Sequence, residues 1–346
     1  MKKCSLAVLF SILVGLAACG QNGEPDVTTD VDEDKVEEAV ESEASSEDEL
    51  LEVTVLLDWI INTNHTGLYV AQDQGFFEEE GLDLTIIESA TEGVMQVVAA
   101  GQADFGIASQ NELTMARAQD IPVVSIAAII QEHTSGFASL ADKGITSPED
   151  FAGKTYGGWG SPMEEAILNY VLEASDVGTT EVENVTVGSS DFFVNAKREI
   201  DFQWIYYGWT GVESEVREEE INMIYLTDID PIFEYYAPIL ISSESVINEQ
   251  PELVEKFLRA VSKGYEFSIE HPEEAADILI AVAPETDAEL IKASQEWLST
   301  RYQGNATQWG IQEEDIWTTF SAWMLETGLI EKEVTSEEAM TNKFLP

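Results

Sequence analysis

Apolar residues fall into short blocks whose period switches repeatedly between the strand repeat and the helix repeat. Val53-Thr54-Val55-Leu56-Leu57 is apolar and β-branched and reads as a strand, as do Leu82 to Ile87, Phe105 to Ala108 and the continuous run Val123 to Ile130. Helical spacing fills the gaps: Gly67 to Gly75, Glu92 to Ala100 stopped by Gly101, and Asn111 to Gln119. A second set starts at Ser147-Pro148-Glu149-Asp150, a helix start. Strands are expected at Thr155–Gly157, Val185–Val187, Phe202–Ile205, Asn222–Leu226 and Ala237–Ile241. Helices are expected at Met163–Ala174, Phe192–Glu199 and Gly211–Glu219. The last hundred residues are helical: Pro251–Glu270, Pro272–Ala283, Asp287–Tyr302 and Glu313–Thr327. Strand and helix alternate as in βαβ units, which predicts an α/β fold with mainly parallel sheet. Two such sets and a helical tail predict two Rossmann-like lobes that the chain crosses between twice. Lobe 1 takes residues 53–135, lobe 2 takes 136–232, and 233–346 return to lobe 1. Ligands of such folds sit in the crevice at the carboxyl ends of the strands.

The N-terminus departs from this pattern. Lys2 and Lys3 precede an uncharged run from Cys4 to Ala18, short for a membrane span and suited to a signal sequence. The run ends Leu16-Ala17-Ala18-Cys19-Gly20, which resembles a bacterial lipobox. Residues 1–19 are therefore expected to be a lipoprotein signal peptide, with Cys19 the lipid attachment point and the chain held on the extracytoplasmic face of the membrane. Residues 20–52 read as an acidic, disordered tether: Glu24 to Glu52 holds fourteen acids and one Lys. A short helix around Lys35–Val40 would not be stable alone.

Charge narrows the function. The chain of 346 residues has a net charge of −51, of which −40 remains on residues 53–346 once the tether and signal are removed. So negative a surface excludes nucleic acid and suits an extracytoplasmic protein in high salt or at high pH. Both cysteines, Cys4 and Cys19, lie in the first nineteen residues, so the body has no disulfide, thiolate metal site or Cys nucleophile. Neither Gly-x-Ser-x-Gly nor His-Glu-x-x-His occurs, and the only histidines are His65, His133 and His271.

The chemistry sits in the loops after strands. Trp59, Asn62, Asn64, His65 and Tyr69 follow the first strand and offer a stacking face with directional donors and acceptors. The alternative places Trp59 in the core and makes His65 a helix cap. Ser109, Gln110, Asn111 and Glu112 open a helix, either as ligand contacts or as caps. His133 lies where the chain leaves lobe 1, as a contact or a hinge residue. In Gly157-Gly158-Trp159-Gly160-Ser161-Pro162-Met163-Glu164, Trp159 would cover a ring; Glu164 would bind ligand or favour the helix dipole. The loop is no Walker motif. Trp204, Tyr206, Tyr207 and Trp209 form the densest aromatic run, with Trp204 and Tyr206 on one face, and supply a ligand stacker. Tyr236 sits at the predicted return crossing, as a contact or as hinge packing. An aromatic, amide-rich cleft suits a flat heterocycle such as a 4-aminopyrimidine. None of the five arginines lies in these loops, which counts against sulfonates.

Leu57-Asp58-Trp59-Ile60-Ile61-Asn62-Thr63-Asn64-His65-Thr66-Gly67-Leu68-Tyr69-Val70-Ala71 and Gly75-Phe76-Phe77-Glu78-Glu79-Glu80-Gly81-Leu82-Asp83 carry a resemblance. Ala99 to Gly106 and Pro148 to Thr155 extend it, over about residues 53–330. The chain resembles substrate-binding lipoproteins of ABC importers that take thiamine pyrimidine precursors, relatives of the fungal thiamine-pyrimidine synthases and of sulfonate- and taurine-binding proteins. The resemblance implies a type II periplasmic-binding-protein fold with a two-strand hinge. It also implies a monomeric receptor for an aminopyrimidine-like solute, with a permease and its ATPase as partners and no cofactor or metal. Riboflavin-like heterocycles and sulfonates such as taurine are the alternative ligands; a synthase or an extracellular sensor are alternative classes. The related synthases use a histidine in the place of His65. They also need a lysine shortly before it for a pyridoxal cofactor, and a cysteine-rich iron motif. Residues 59–64 contain no Lys and the body no Cys, so the reading is of a non-enzyme.

Overall fold

The computed structural model describes residues 50–88 and 93–346. The predicted signal peptide, Cys19 and the Lys35–Val40 segment lie outside them. The chain starts with β1 (Leu51–Leu56), α1 (Thr66–Asp73), α2 (Phe76–Glu79), β2 (Leu82–Ile87), α3 (Val94–Ala99), β3 (Phe105–Ala108), α4 (Gln110–Ala118) and β4 (Val123–Ala128). It continues through β5 (Ser135–Leu140), β6 (Thr155–Gly158), α5 (Pro162–Ala174), β7 (Glu183–Thr186), α6 (Phe192–Ala196), β8 (Phe202–Tyr206), α7 (Val212–Val216), β9 (Ile221–Tyr225) and α8 (Leu226–Ile229). It returns with β10 (Ile239–Ser243), α9 (Glu244–Glu249), α10 (Pro251–Glu270), α11 (Pro272–Val282), α12 (Ala288–Ser299), α13 (Glu314–Glu326) and α14 (Ser336–Ala339).

The strands form two five-stranded sheets, ordered β2-β1-β3-β10-β4 and β7-β6-β8-β5-β9. In each, four strands run one way and one runs against them: β10 in the first, β5 in the second. The expected mainly parallel sheet is thus mixed. Each reversed strand is the first one laid down after the chain crosses between sheets, so it enters its sheet from the opposite end. The sequence reading also missed β5 itself. Moreover, the first sheet begins at Leu51, inside the span assigned to the tether, because Leu51 and Glu52 already pair with Leu82 and Asp83.

One face of the first sheet packs Val53, Val55, Phe105, Ile107 and Leu240 against α1 and α10, where Phe105 and Phe257 stack with ring centres 3.7 Å apart. The helices α1 and α10 approach so closely that a Cβ on Gly264 would stand 2.0 Å from the Gly67 carbonyl oxygen. Tyr265, next along α10, donates its hydroxyl to the Asn64 carbonyl at 2.7 Å and so holds the loop that leads into α1. The outer edge strand β4 is covered by the C-terminal residues, through bridges from Ser125 to Met340 and from Ala128 to Gly310. Among the described residues no helix is long and apolar enough to cross a membrane.

Candidate functional site

The loops after β1, β3, β6 and β8 leave the carboxyl ends of parallel strands, where backbone groups unpaired by the sheet are free for other partners. After β1, Asn62 caps a 3-10 turn over Thr63–His65: its Oδ1 accepts from the Asn64 N–H at 2.8 Å and its amide donates to the Ile60 carbonyl at 3.0 Å. His65 is fully buried. Its Nδ1 accepts the Asn62 N–H at 3.2 Å, which places the ring proton on Nε2, donated to Asp58 Oδ1 at 2.8 Å. Asn64 is half-buried and bound through its carbonyl. Trp59 is not a core residue; it is 53% exposed beside Asp58.

After β3, Ser109 and Glu112 form a capping box, with the Ser109 N–H and hydroxyl donated to Glu112 Oε2 at 3.1 and 2.7 Å; Asn111 lies beside them, half-buried, in the first turn of α4. Gln110 is buried and clasps the return crossing. Its backbone N–H goes to the Tyr236 carbonyl and its Oε1 accepts the Tyr236 N–H, both at 2.9 Å. Tyr236 is buried too, and its hydroxyl accepts the Glu313 N–H at 2.9 Å.

His133 lies on the first crossing and ties it to the second. Its N–H donates to Glu234 Oε1 at 2.7 Å, its Nδ1–H to the Tyr235 carbonyl at 2.9 Å, and its Nε2 accepts from Ser135 Oγ at 2.6 Å. Burial lowers its pKa to about 4, against a smaller opposing effect of the Tyr235 carbonyl. The His133 ring lies 4.0 Å from that of Tyr235, which stacks on Phe320 at 4.2 Å on its own account.

Lobe 2 contributes the aromatic wall. Trp159 stacks on Trp204 at 5.6 Å and on Tyr206 at 6.3 Å, and Tyr206 meets His133 edge-on at 6.2 Å. Trp159 is 42% exposed. Burial raises the Tyr206 phenol well above its ordinary value, and the charges of Glu112 and Asp58, both from lobe 1, add to the effect. Trp159, Trp204, Tyr206 and His133 thus form one cluster, and its Tyr206 lies within electrostatic reach of Asp58 and Glu112. Glu164 is taken up by the chain itself, as described below.

The remaining candidates lie outside this cluster. Tyr69 packs with Ala276, Leu279 and Ile291, and Trp209 joins the same cluster from lobe 2; burial first, then the charge of Glu88, pushes the Tyr69 phenol up to about 12. Tyr207 lies in a π-turn over Tyr207–Gly211, donates to Glu215 Oε1 at 2.7 Å and packs its ring against Trp297 at 5.3 Å.

Sequence reasoning missed Asp58, Tyr235 and Ser294. Ser294, on α12, shares a 2.6 Å hydrogen bond with Thr63 Oγ1 in the loop after β1 and donates to the Gly208 carbonyl in the π-turn after β8. One buried hydroxyl therefore joins the loops of the two lobes. Ser294→Ala is expected to cost about 1–3 kcal/mol, the penalty for leaving a buried carbonyl without its donor. Urea unfolding of the two proteins measures it; an unchanged midpoint would mean the Gly208 carbonyl has another partner.

Two mixed sheets, two crossings and polar, aromatic loops at facing strand ends define a type II periplasmic-binding-protein fold. The chain belongs to the NMT1/THI5-like family, whose model matches residues 62–275. It is 30% identical over 320 residues to the formylaminopyrimidine-binding protein of Halalkalibacterium halodurans, covering 87% of this chain and 93% of that one. It is 28% identical over 296 residues to the 4-amino-5-hydroxymethyl-2-methylpyrimidine phosphate synthase of Legionella pneumophila, covering 85% and 92%. The periplasmic aliphatic sulphonate binding protein SsuA of Escherichia coli shares the fold with a TM-score of 0.67 at 13% identity, over 85% of this chain and 92% of that one.

Proposed function

We propose that this protein is the extracytoplasmic solute receptor of an ABC importer, and that its cleft binds a thiamine pyrimidine precursor of the hydroxymethylpyrimidine or formylaminopyrimidine type. The observation that carries the reading is the stacked Trp159–Trp204–Tyr206 wall, whose Tyr206 lies within electrostatic reach of Asp58 and Glu112. A flat ring lies on the exposed Trp159 side, and carboxylates meet the donor edge of an aminopyrimidine. The formylaminopyrimidine-binding relative supports the same ligand class. Solute held by one lobe completes contacts with the other, and closure about the two crossings is what the permease and its ATPase read. Lipid on Cys19 keeps the receptor at the membrane.

The site supports binding over synthesis. Residues 59–64 offer no lysine for a pyridoxal cofactor, the body has no cysteine, and both nitrogens of His65 are engaged by Asn62 and Asp58.

Thermal unfolding with a ligand panel tests the reading: 4-amino-5-hydroxymethyl-2-methylpyrimidine, its formylaminopyrimidine relative, thiamine, riboflavin and taurine. A pyrimidine at about a hundred times its dissociation constant should add roughly 2.7 kcal/mol of stability. Trp159→Ala should weaken binding by roughly ten- to a hundredfold, since one stacked ring contributes about 1–3 kcal/mol. A rise with riboflavin or taurine alone would keep the receptor and overturn the pyrimidine.

A further inference from the structure

The turn between β6 and α5 has the form of an anion cradle. A glycine-rich loop leads into the N-terminus of a thirteen-residue helix, and Trp159 of that loop belongs to the aromatic wall. Backbone N–H groups so placed bind phosphate, sulfonate or carboxylate. Here the chain fills the cradle itself. Glu164 reaches back from the first turn of α5. Its Oε1 accepts from the Trp159 N–H at 3.0 Å and the Tyr156 hydroxyl at 2.5 Å, and its Oε2 accepts the Gly160 N–H at 2.9 Å. The Glu164 N–H is taken by Ser161 Oγ at 3.2 Å, and Pro162 has none to give.

The carboxylate is tightly enclosed. Glu164 is 3% exposed, and a Cβ on Gly158 would stand 3.0 Å from its Oε2. Its three partners are all neutral. Four of the five arginines are engaged elsewhere, Arg117 with Glu244, Arg217 with Glu213, Arg259 with Glu80 and Arg301 over the Trp297 ring, and Arg198 is exposed. A carboxylate held by neutral donors in a poorly solvated turn repels a second anion strongly.

We propose that Glu164 is a specificity-determining residue: it occupies the anion cradle at the cleft edge and confines the receptor to solutes that carry no phosphate, sulfonate or carboxylate at that end. This deepens the reading above and rests on it for the identity of the ring. The receptor would then take the free pyrimidine alcohol or amine and reject its phosphate ester, although the loop that rejects it has the form that elsewhere accepts one.

The experiment compares wild type, Glu164→Gln and Glu164→Ala. Calorimetry measures 4-amino-5-hydroxymethyl-2-methylpyrimidine against its phosphate ester; thermal unfolding measures sodium sulfate against sodium chloride at equal ionic strength. Wild type should bind the alcohol about a hundredfold tighter than the ester, as like-charge contacts at an interface allow, and should gain from sulfate only the general stabilisation that this salt gives by exclusion from protein surfaces. Glu164→Gln, which keeps the bulk and removes the charge, should shrink that ratio. Glu164→Ala should empty the cradle and acquire stabilisation by sulfate, and formate should compete for it. Equal affinity of wild type for alcohol and ester would overturn the proposal. So would a folded Glu164→Ala that gains no more from sulfate than wild type does. Should Glu164→Ala not fold, an unchanged ratio in Glu164→Gln has the same force. Failure of every variant to bind the alcohol, with sulfate still stabilising Glu164→Ala, would remove the pyrimidine and leave the occupied cradle in place.

Discussion

Gly264→Ala should destabilise the protein by about 3 kcal/mol, at the upper end of the cost of overpacking a core. Helix propensity predicts the opposite sign, since Ala in a helix interior is favoured over Gly by about 1 kcal/mol. Packing decides, because the new methyl would meet a backbone carbonyl, that of Gly67 at 2.0 Å, with Ala71 Cβ at 2.9 Å. A side chain can rotate aside; a carbonyl inside a helix moves only if α1 moves. Gly67 is caught in the same contact, as its own Cβ would stand 2.4 Å from the Tyr265 ring. The effect should reach the site. Displacing α1 from α10 strains the bond from the Tyr265 hydroxyl to the Asn64 carbonyl, and with it the turn that presents His65 to Asp58. Denaturant midpoints with and without solute check both parts; a stabilised Gly264→Ala protein would mean that the two helices separate freely.

Acid should destabilise the protein through His133, the buried imidazole that ties the two crossings together. The His133 pKa falls from its usual 6.5 to about 4 on folding because the ring is buried. Above pH ~6.5 the imidazole is neutral in both states and adds no pH dependence. Below that, the unfolded chain takes up a proton that the folded one refuses, so stability falls as pH drops from ~6.5 towards ~4, by about 3 kcal/mol in all. Glu234, which accepts the His133 N–H, acts in the opposite sense. Burial raises its pKa, so the folded state holds its proton more readily and recovers part of the loss at the acid end. The other groups around the ring, the Tyr235 carbonyl, Ser135 and Tyr206, do not titrate in this window. The measurement is the slope of unfolding free energy against pH for wild type and His133→Gln. The variant should be less stable at pH 7 and show a flatter acid limb. Equal slopes would place the proton elsewhere.

The elements that the sequence revealed are those with strong local signals. The Val123 run, the proline-started helices α10 and α11 and the glycine-stopped α3 fall where the pattern puts them. Strand β5 was invisible because Ser135-Gly136-Phe137-Ala138-Ser139-Leu140 carries no β-branched residue. Its Gly136 is required by the approach of β9, where a Cβ would meet the Ile224 carbonyl at 2.2 Å, a fact of pairing and not of propensity. The candidate site divides in the same way. Aromatic residues could be nominated from their density, and Trp159, Trp204 and Tyr206 do assemble. Histidines and carboxylates could be nominated by type only, since their tasks depend on partners. In the sequence Glu164 and Gln110 stand between ligand contact and a role at a helix start, and the N–H groups they serve are visible only in the structure. Ser294 gave no signal because Thr63, its partner, is 231 residues away along the chain.

The position of β10 has a consequence for how the molecule comes into being. Between β3 and β4 the first sheet has a vacant slot that only residues 239–243 fill, after the whole of the second sheet has been made. A chain emerging N-terminus first therefore exposes two unpaired strand edges, on β3 and β4, through more than a hundred residues of synthesis. Such edges invite pairing with other chains. The late arrival of β10 makes folding of the first lobe wait on completion of its neighbour, with the slow kinetics of distant strand pairing. The sheet of the first lobe therefore cannot close until residues 239–243, more than two thirds of the way along the chain, have been made.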